Sequence, residues 1–136
     1  MHPCWFPFPI AIFMLSGTVQ ASPSDFAEFL TKFEQSESFQ LLRTRDPLSY
    51  WHVDRDAPDM KMKRKLVPKQ RREKYEPYPT REYQERLKMQ RTLESSSTST
   101  CTVRLRVPDS DMYAVDFKFL RAKAGWLLIE VRDGSL

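Results

Sequence analysis

Three residues of the sequence have side chains that could together perform general acid–base chemistry: Tyr50, His52 and Tyr113. Imidazole titrates near neutral pH, so a histidine that shares a pocket with aromatic side chains is a candidate general base. His52 stands within the aromatic segment YWHVD and is one of two histidines in the chain. A lone histidine is more often an exposed strand residue than a catalyst. The sequence therefore assigns no catalytic residue and leaves these three as candidates.

Asp116 and Cys101 also belong to side-chain types that can react, and both are predicted to be structural. Asp116 lies in a strand-like segment, and the register derived below puts it on the outer face between Arg104 and Arg132, where a surface salt bridge is expected. The same register places Cys101 opposite Phe119, as a buried and unreactive thiol. With so few histidines and cysteines, we predict no metal site and no cofactor.

The N-terminal segment predicts export. Its first 21 residues contain no Asp, Glu, Lys or Arg, and the apolar run at residues 5–15 is too short for a membrane span. Val19 and Ala21 occupy positions −3 and −1 of a small-residue cleavage site. We therefore expect a signal peptide over residues 1–21 and an exported, periplasmic or extracellular single domain over residues 22–136. A retained N-terminal anchor is the alternative.

A helix is expected at the start of this domain, because apolar residues recur there at i, i+3, i+4 and i+7. Ser22 and Pro23 precede them and suit the N-cap and the first position of a helix. The stripe consists of Phe26, Phe29, Leu30 and Phe33. A second helical turn is predicted over residues 37–42, and residues 48–53 are expected to be extended. Helices that precede alternating strands indicate an α+β fold, with N-terminal helices packed on a curved C-terminal antiparallel sheet.

The C-terminal third predicts a meander whose register can be derived from charge and hydrophobicity. A five-residue loop at residues 108–112 opposes Arg104 to Asp116. A three-residue loop at residues 123–125 then opposes Asp116 to Arg132, Lys118 to Glu130 and Ala122 to Trp126. The face predicted to point inward is wholly apolar: Val103, Leu105, Val107, Val115, Phe117, Phe119, Ile129 and Val131.

The same register leaves an apolar group on the outer face, near the hairpin end. An exposed apolar patch of this kind indicates a partner surface, and a homodimer is one hypothesis for its use. Cover by another part of the chain is the alternative. The patch comprises Leu120, Ala122, Trp126 and Leu128.

The middle of the chain is strongly basic. Residues 61–91 contain twelve Lys or Arg against four Glu, and three prolines there predict an irregular insert. Such a segment could contact an anionic envelope surface, while nucleic acid is not an expected partner of an exported protein. The alternative is a solvated loop. The candidate contacts are Lys61, Lys63, Arg64, Lys65, Arg71 and Arg72.

Two stretches resemble known proteins. The C-terminal FKFLRAKAGWLLIEVRDGSL, after an N-terminal helix pair, resembles the nuclear transport factor 2-like fold. The stretch FAEFLTKFEQSESFQLLRTRDPLSYW is similar to the opening of a family of secreted bacterial proteins of unknown function with that fold. The resemblance covers residues 26–51 and 103–133. It implies a bent sheet that wraps the helices into a cone with a cavity.

The resembling superfamily includes isomerases, dehydratases, hydrolases and binding domains without activity. Its ketosteroid-isomerase-like members use a carboxylate base inside the cone, whereas none of the inward positions assigned here can exchange a proton. We therefore expect a non-catalytic binding or interaction domain whose partner is a protein or a small-molecule ligand. A small-molecule-binding protein or ketosteroid-isomerase-like enzyme, using the cavity near Tyr50, His52 and Tyr113, is the alternative.

Overall fold

The computed structural model describes residues 23–74 and 78–136, so the signal-peptide prediction lies outside the described residues. No helix in these two ranges is long and apolar enough to cross a membrane. The helical elements are α1 (Pro23–Gln35), α2 (Glu37–Leu42), a 3-10 helix η1 (Lys69–Lys74) and α3 (Arg81–Arg86). The strands are β1 (Thr44–Val53), β2 (Met62–Val67), β3 (Gln90–Ser95), β4 (Thr100–Arg106), β5 (Ala114–Ala122) and β6 (Gly125–Asp133).

Helix α1 forms where the apolar stripe predicts it and buries that stripe against the sheet. Phe26 and Phe33 both make edge contacts with Phe119 of β5, at ring-centroid distances of 5.4 and 5.3 Å. Phe29 contacts the same ring at 5.7 Å. The face of the sheet that holds Phe119 and packs against α1 is called the inner face below.

Helix α2 is confirmed over the predicted residues, and its end leads directly into the sheet. Ser36 caps its N-terminus by accepting a hydrogen bond from the backbone N–H of Phe39. At the other end, Arg43 donates from Nε to the carbonyl of Trp126 at 2.9 Å, and its own carbonyl accepts from the backbone N–H of Leu128. These bonds join the start of β1 to the start of β6.

One six-stranded sheet has the order β2-β1-β6-β5-β4-β3. Its neighbouring strands are antiparallel except β1 and β6, which run parallel. The predicted β4–β5 register is confirmed, since Val103 opposes Phe117 and Arg104 opposes Asp116. The predicted α+β class is therefore correct, with one parallel pair within the sheet.

The predicted β5–β6 register is correct only at the far end of the hairpin. Lys118 opposes Glu130 as expected, but Phe119 opposes Leu128 because a bulge adds Ile129 to β6. Ala122 consequently opposes Gly125, not Trp126, and the connecting loop has two residues. A single inserted residue reverses the side-chain parity of the strand beyond it.

This reversal overturns the predicted outer apolar patch. Trp126 and Leu128 point inward and are 6% and 4% exposed, and Trp126 makes an edge contact with Phe26 at 4.9 Å. Leu120 stays half-buried on the outer face, opposite Leu127, and Ala122 is at the hairpin end. Trp126 and Leu128 are therefore core residues of the fold.

The basic segment is more ordered than its prolines predicted. Residues 62–67 form the edge strand β2, antiparallel to β1, and η1, α3 and the start of β3 follow. The expected irregular insert is therefore wrong for these residues.

Candidate functional site

A cavity of about 500 Å³ opens between the inner face of the sheet, α2 and η1. Next to the cavity, aromatic rings of α1 pack on Phe119 and cover the inner face. The cavity lies over the rest of the inner face, which α1 leaves uncovered. Most of the surface of its wall is apolar. Seven apolar side chains contribute to it: Phe33, Leu41, Leu48, Val67, Phe117, Leu128 and Val131.

Two polar residues in the cavity wall are already held by other groups. Gln40 is buried and donates from Nε2 to the carbonyl of Phe33 at 2.9 Å. Tyr50 donates its hydroxyl proton to Oδ2 of Asp133 at 2.9 Å. These bonds satisfy polar atoms that would otherwise lose water without compensation, and they leave the wall mainly apolar.

Tyr78 separates the cavity from a buried polar network. Its ring contacts Phe33 and Phe117 at centroid distances of 5.2 and 4.6 Å, and its hydroxyl donates to Oε2 of Glu34 at 3.2 Å. Burial, reinforced by the negative charge of Glu34, raises the pKa of Tyr78 well above its usual value. The phenol therefore stays protonated and remains a donor.

Glu34 is 3% exposed and receives two further donors, Nε2 of Gln84 and the guanidinium of Arg91. The sequence reasoning missed this network. Glu34 extends the i, i+4, i+8 series of Phe26 and Leu30, and that periodicity could have identified it as inward-facing. No comparable signal marks Gln84.

Charged residues surround the mouth of the cavity. Lys69 and Arg72 of η1 lie there, and so does Glu37, an exposed residue in the first turn of α2. Arg72 donates from Nη2 to the carbonyl of Arg45 at 2.6 Å, and its Nη1 is 3.5 Å from the carbonyl of Leu41. Arg72 thereby bridges α2 and β1 at the entrance.

The environment of Arg72 is only partly aqueous. Its Nε is buried and has no hydrogen-bond partner among the described residues. Burial lowers the pKa of the guanidinium, while the negative charge of Asp46 opposes that shift. The sequence predicted Arg72 as a contact to an anionic surface, whereas the structure places it at a cavity.

Two of the three acid–base candidates line a different pocket. His52 and Tyr113 border a polar space of about 480 Å³ at the other end of the sheet, together with Asp54, Asp133 and Ser135. Tyr50 lines the apolar cavity, and its hydroxyl donates to Asp133, which borders the second pocket. The expectation that all three share one cavity is therefore wrong.

His52 is held by a neighbouring carbonyl rather than by an acid. Its Nδ1 is 3.2 Å from the carbonyl of Val53, which is a geometry for Nδ1–H donation. Its Nε2 is buried without a partner among the described residues. Among these residues, no group of three His, Cys, Asp or Glu is arranged to hold a metal ion.

The outer face carries the expected charges with a different pairing. Asp116 pairs with Arg104 at 3.6 Å and with Arg106 at 2.7 Å, which confirms it as a salt-bridged residue. Arg132 pairs with Glu130 of its own strand, not with Asp116, and lies over the ring of Trp51. On the inner face, Cys101 is buried opposite Phe119 as predicted, and burial raises the pKa of its thiol.

The basic side chains do not form one patch. On β2, Lys63 and Lys65 oppose inner-face residues of β1, whereas Arg64 is on the outer face and donates from Nε to Ser49. Lys61 pairs with Asp59. Contact with an anionic surface through these residues, together with Arg71, stays a prediction.

Comparison with solved structures identifies the architecture. A nuclear transport factor 2-like protein from Bacteroides fragilis superposes with a TM-score of 0.64 over 82% of this chain, at 21% sequence identity. The chain has the nuclear transport factor 2-like fold. The match covers 47% of the Bacteroides chain, so this chain spans about half the length of that relative.

Two further structures are similar at lower TM-scores. A nuclear transport factor 2-like protein of unknown function from Shewanella baltica gives 0.45, at 13% identity over 81% of this chain and 90% of its own. A protein from Kribbella flavida gives 0.43, at 12% identity over 82% of this chain and 90% of its own. No protein-family model matches the chain, and no curated protein matches it.

Proposed function

We propose that this nuclear transport factor 2-like domain binds a small, mainly apolar organic molecule in the cavity between α2, η1 and the inner face. The observation that carries the proposal is the cavity itself, about 500 Å³ with a largely apolar wall beside a tightly packed aromatic core. Its size and lining are those of small-molecule sites in proteins, which combine apolar walls with a few placed polar groups.

The polar groups of the cavity favour binding over proton transfer. The one described carboxylate in its lining belongs to Glu37, which is exposed at the mouth. The hydroxyls of Tyr50 and Tyr78 are donors to Asp133 and Glu34. A general base must reach the proton that it removes, so a ketosteroid-isomerase-like reaction is the less supported alternative.

Fluorescence titration with the neutral apolar dye N-phenyl-1-naphthylamine tests the proposal. We expect saturable enhancement by the wild-type domain. Val131→Phe, which adds volume to the cavity wall, should weaken binding at least tenfold. Leu127→Phe, on the outer face of the same strand, is the matched control and should bind normally. Absence of saturable binding, or equal loss in both variants, would refute the proposal.

A homodimer through the outer face is a second candidate, with residues different from those first predicted. Leu66 of β2 is 57% exposed on that face, and Trp51 lies half-buried next to it on β1. Exposed apolar side chains on an uncovered sheet face suit a partner. Sedimentation equilibrium should show a dimer that Leu66→Asp dissociates; a monomer at high concentration would exclude this candidate.

We also propose that the domain is exported after cleavage before Ser22. Support comes from the uncharged first 21 residues and the small residues at the predicted cleavage site. N-terminal sequencing of the protein expressed in a bacterial host should give Ser22 as the first residue in the periplasmic fraction. A product that begins at Met1 in the cytoplasmic fraction would contradict it.

A further inference from the structure

We infer that the ligand of the cavity is an organic acid, whose apolar body lies against the wall and whose carboxylate binds Arg72 at the mouth. This inference rests on the proposed binding function and specifies its ligand class. It starts from the positive charges of Arg72 and Lys69, which line the mouth of a cavity whose wall is otherwise mainly apolar.

Arg72 is fixed at the mouth and keeps donors that the protein does not use. Its Nη2 bonds the carbonyl of Arg45 and its Nη1 approaches the carbonyl of Leu41, while Nε is buried and faces no open space. Each Nη atom of a guanidinium carries two hydrogens. One N–H on each therefore remains for an acceptor that occupies the cavity.

A carboxylate suits these donors better than a neutral oxygen. Hydrogen bonds between a guanidinium and a carboxylate are charge-assisted and about twice as strong as those between neutral groups. Lys69 lies at the same mouth and adds a second positive charge. The nearby carboxylate of Asp46 already accepts from the backbone N–H of Lys69 at 3.0 Å.

The apolar wall defines the rest of the ligand. Phe33, Leu48 and Val131 give a surface that cannot hydrogen-bond a second polar end. An alkyl or aryl acid with one charged terminus therefore fits, whereas a dicarboxylate or a sugar acid does not. Each methylene buried against such a wall contributes about a fourfold gain in affinity.

Displacement of bound N-phenyl-1-naphthylamine by ten-carbon probes tests the inference. Decanoate should displace the dye at a concentration at least tenfold lower than decanol and decylamine require. Octanoate should be about sixteenfold weaker than decanoate, because it lacks two methylenes. Equal displacement by decanoate and decanol would overturn the carboxylate assignment while leaving the proposed binding function intact.

The matched variants Arg72→Gln and Arg71→Gln locate the charged contact. Arg71 is the exposed neighbour of Arg72 on η1 and is not part of the cavity lining. Arg72→Gln should weaken decanoate at least tenfold and leave decanol unchanged, since only the carboxylate uses the guanidinium. Arg71→Gln should change neither.

Two results of the variant experiment would count against the inference. Equal weakening of decanoate by both substitutions would indicate general electrostatic attraction and overturn it. Loss of dye binding in Arg72→Gln would show that Arg72 shapes the cavity and would also overturn the carboxylate assignment. If no probe binds the wild-type domain, the proposed function itself fails.

Discussion

The inner face of the sheet has two halves that the same strands build and that pack differently. In the filled half, rings of α1 surround Phe119, and Trp126 packs on Phe26. In the open half, Leu48 and Val131 face a cavity of about 500 Å³. A protein core is normally packed as densely as an organic crystal, and the difference between the two halves is what the proposed binding function rests on.

Tyr78 and Glu34 form the boundary between the halves. Tyr78 touches Phe119 at a centroid distance of 6.3 Å on one side and lines the cavity on the other. Its hydroxyl is fixed by Glu34, which Arg91 anchors to the edge strand β3. The polar network at this position holds the wall in place without filling the cavity.

Phe119→Ala should have the largest effect on stability, because it removes the ring that the filled half is built around. We expect a loss of about 4 kcal/mol in the free energy of unfolding, from lost transfer energy and the cavity left behind. Urea denaturation measures this. A loss below about 1.5 kcal/mol would mean that the two halves are not packed differently.

Arg91→Ala should cost about 3 kcal/mol, because it leaves the buried carboxylate of Glu34 without its countercharge. Arg104→Ala is the matched control on the outer face, where the pairs with Glu94 and Asp116 are solvent-exposed, and should cost less than about 1 kcal/mol. Equal losses in urea denaturation would contradict the boundary role of Glu34.

The same substitution in each half measures how differently the two halves are packed. Val103→Ala, at a fully buried site outside the cavity lining, should cost about 2.5 kcal/mol, because the space it leaves adds to the transfer term. Val131→Ala, in the cavity wall, should cost about 1.5 kcal/mol, close to the transfer term alone. A reversed order would indicate that the cavity is closed in solution.

Tyr78→Phe should have the smallest effect, about 1 kcal/mol at pH 7, from one lost hydrogen bond. The difference should shrink above pH 10, because the raised pKa keeps Tyr78 protonated in the native state while the unfolded chain loses the proton. The free energy of unfolding of the wild type therefore falls, relative to that of Tyr78→Phe, as the pH rises above about 10. Tyr83→Phe, at an exposed tyrosine, is the control; an unchanged gap at pH 11 would contradict the prediction.

The sequence predicted the fold from strong local patterns. The stripe from Phe26 to Phe33 predicts one inward helix face, and the alternation in β4 and β5 predicts one register for that strand pair; both are confirmed. The β6 bulge at Ile129 was not predictable in this way. A bulge reverses the face to which the side chains beyond it point, and the residue types of the strand do not mark its position. Trp126 and Leu128 were consequently assigned to the wrong face.

The resemblance implied a cavity, but most of the residues that line it could not be derived from sequence, for a different reason. Arg72 reaches the mouth through bonds to carbonyls far from it along the chain, and Glu34 meets Arg91 and Gln84 across the fold. Such contacts depend on how α1, α2 and η1 pack on the sheet and on where the edge strand β3 lies. The sequence did predict that Asp116 forms a salt bridge on the outer face, because its partners lie on the neighbouring strand β4.

Chemical-shift mapping with N-phenyl-1-naphthylamine shows where on the domain the dye binds. We predict that the largest amide shifts occur at Leu48, Val67 and Val131, in the wall of the open half. Cys101 and Val103 of the inner face outside the cavity should remain unchanged. Largest shifts at His52 and Tyr113, or at Leu127 on the outer face, would contradict the claim that the open half is the binding site.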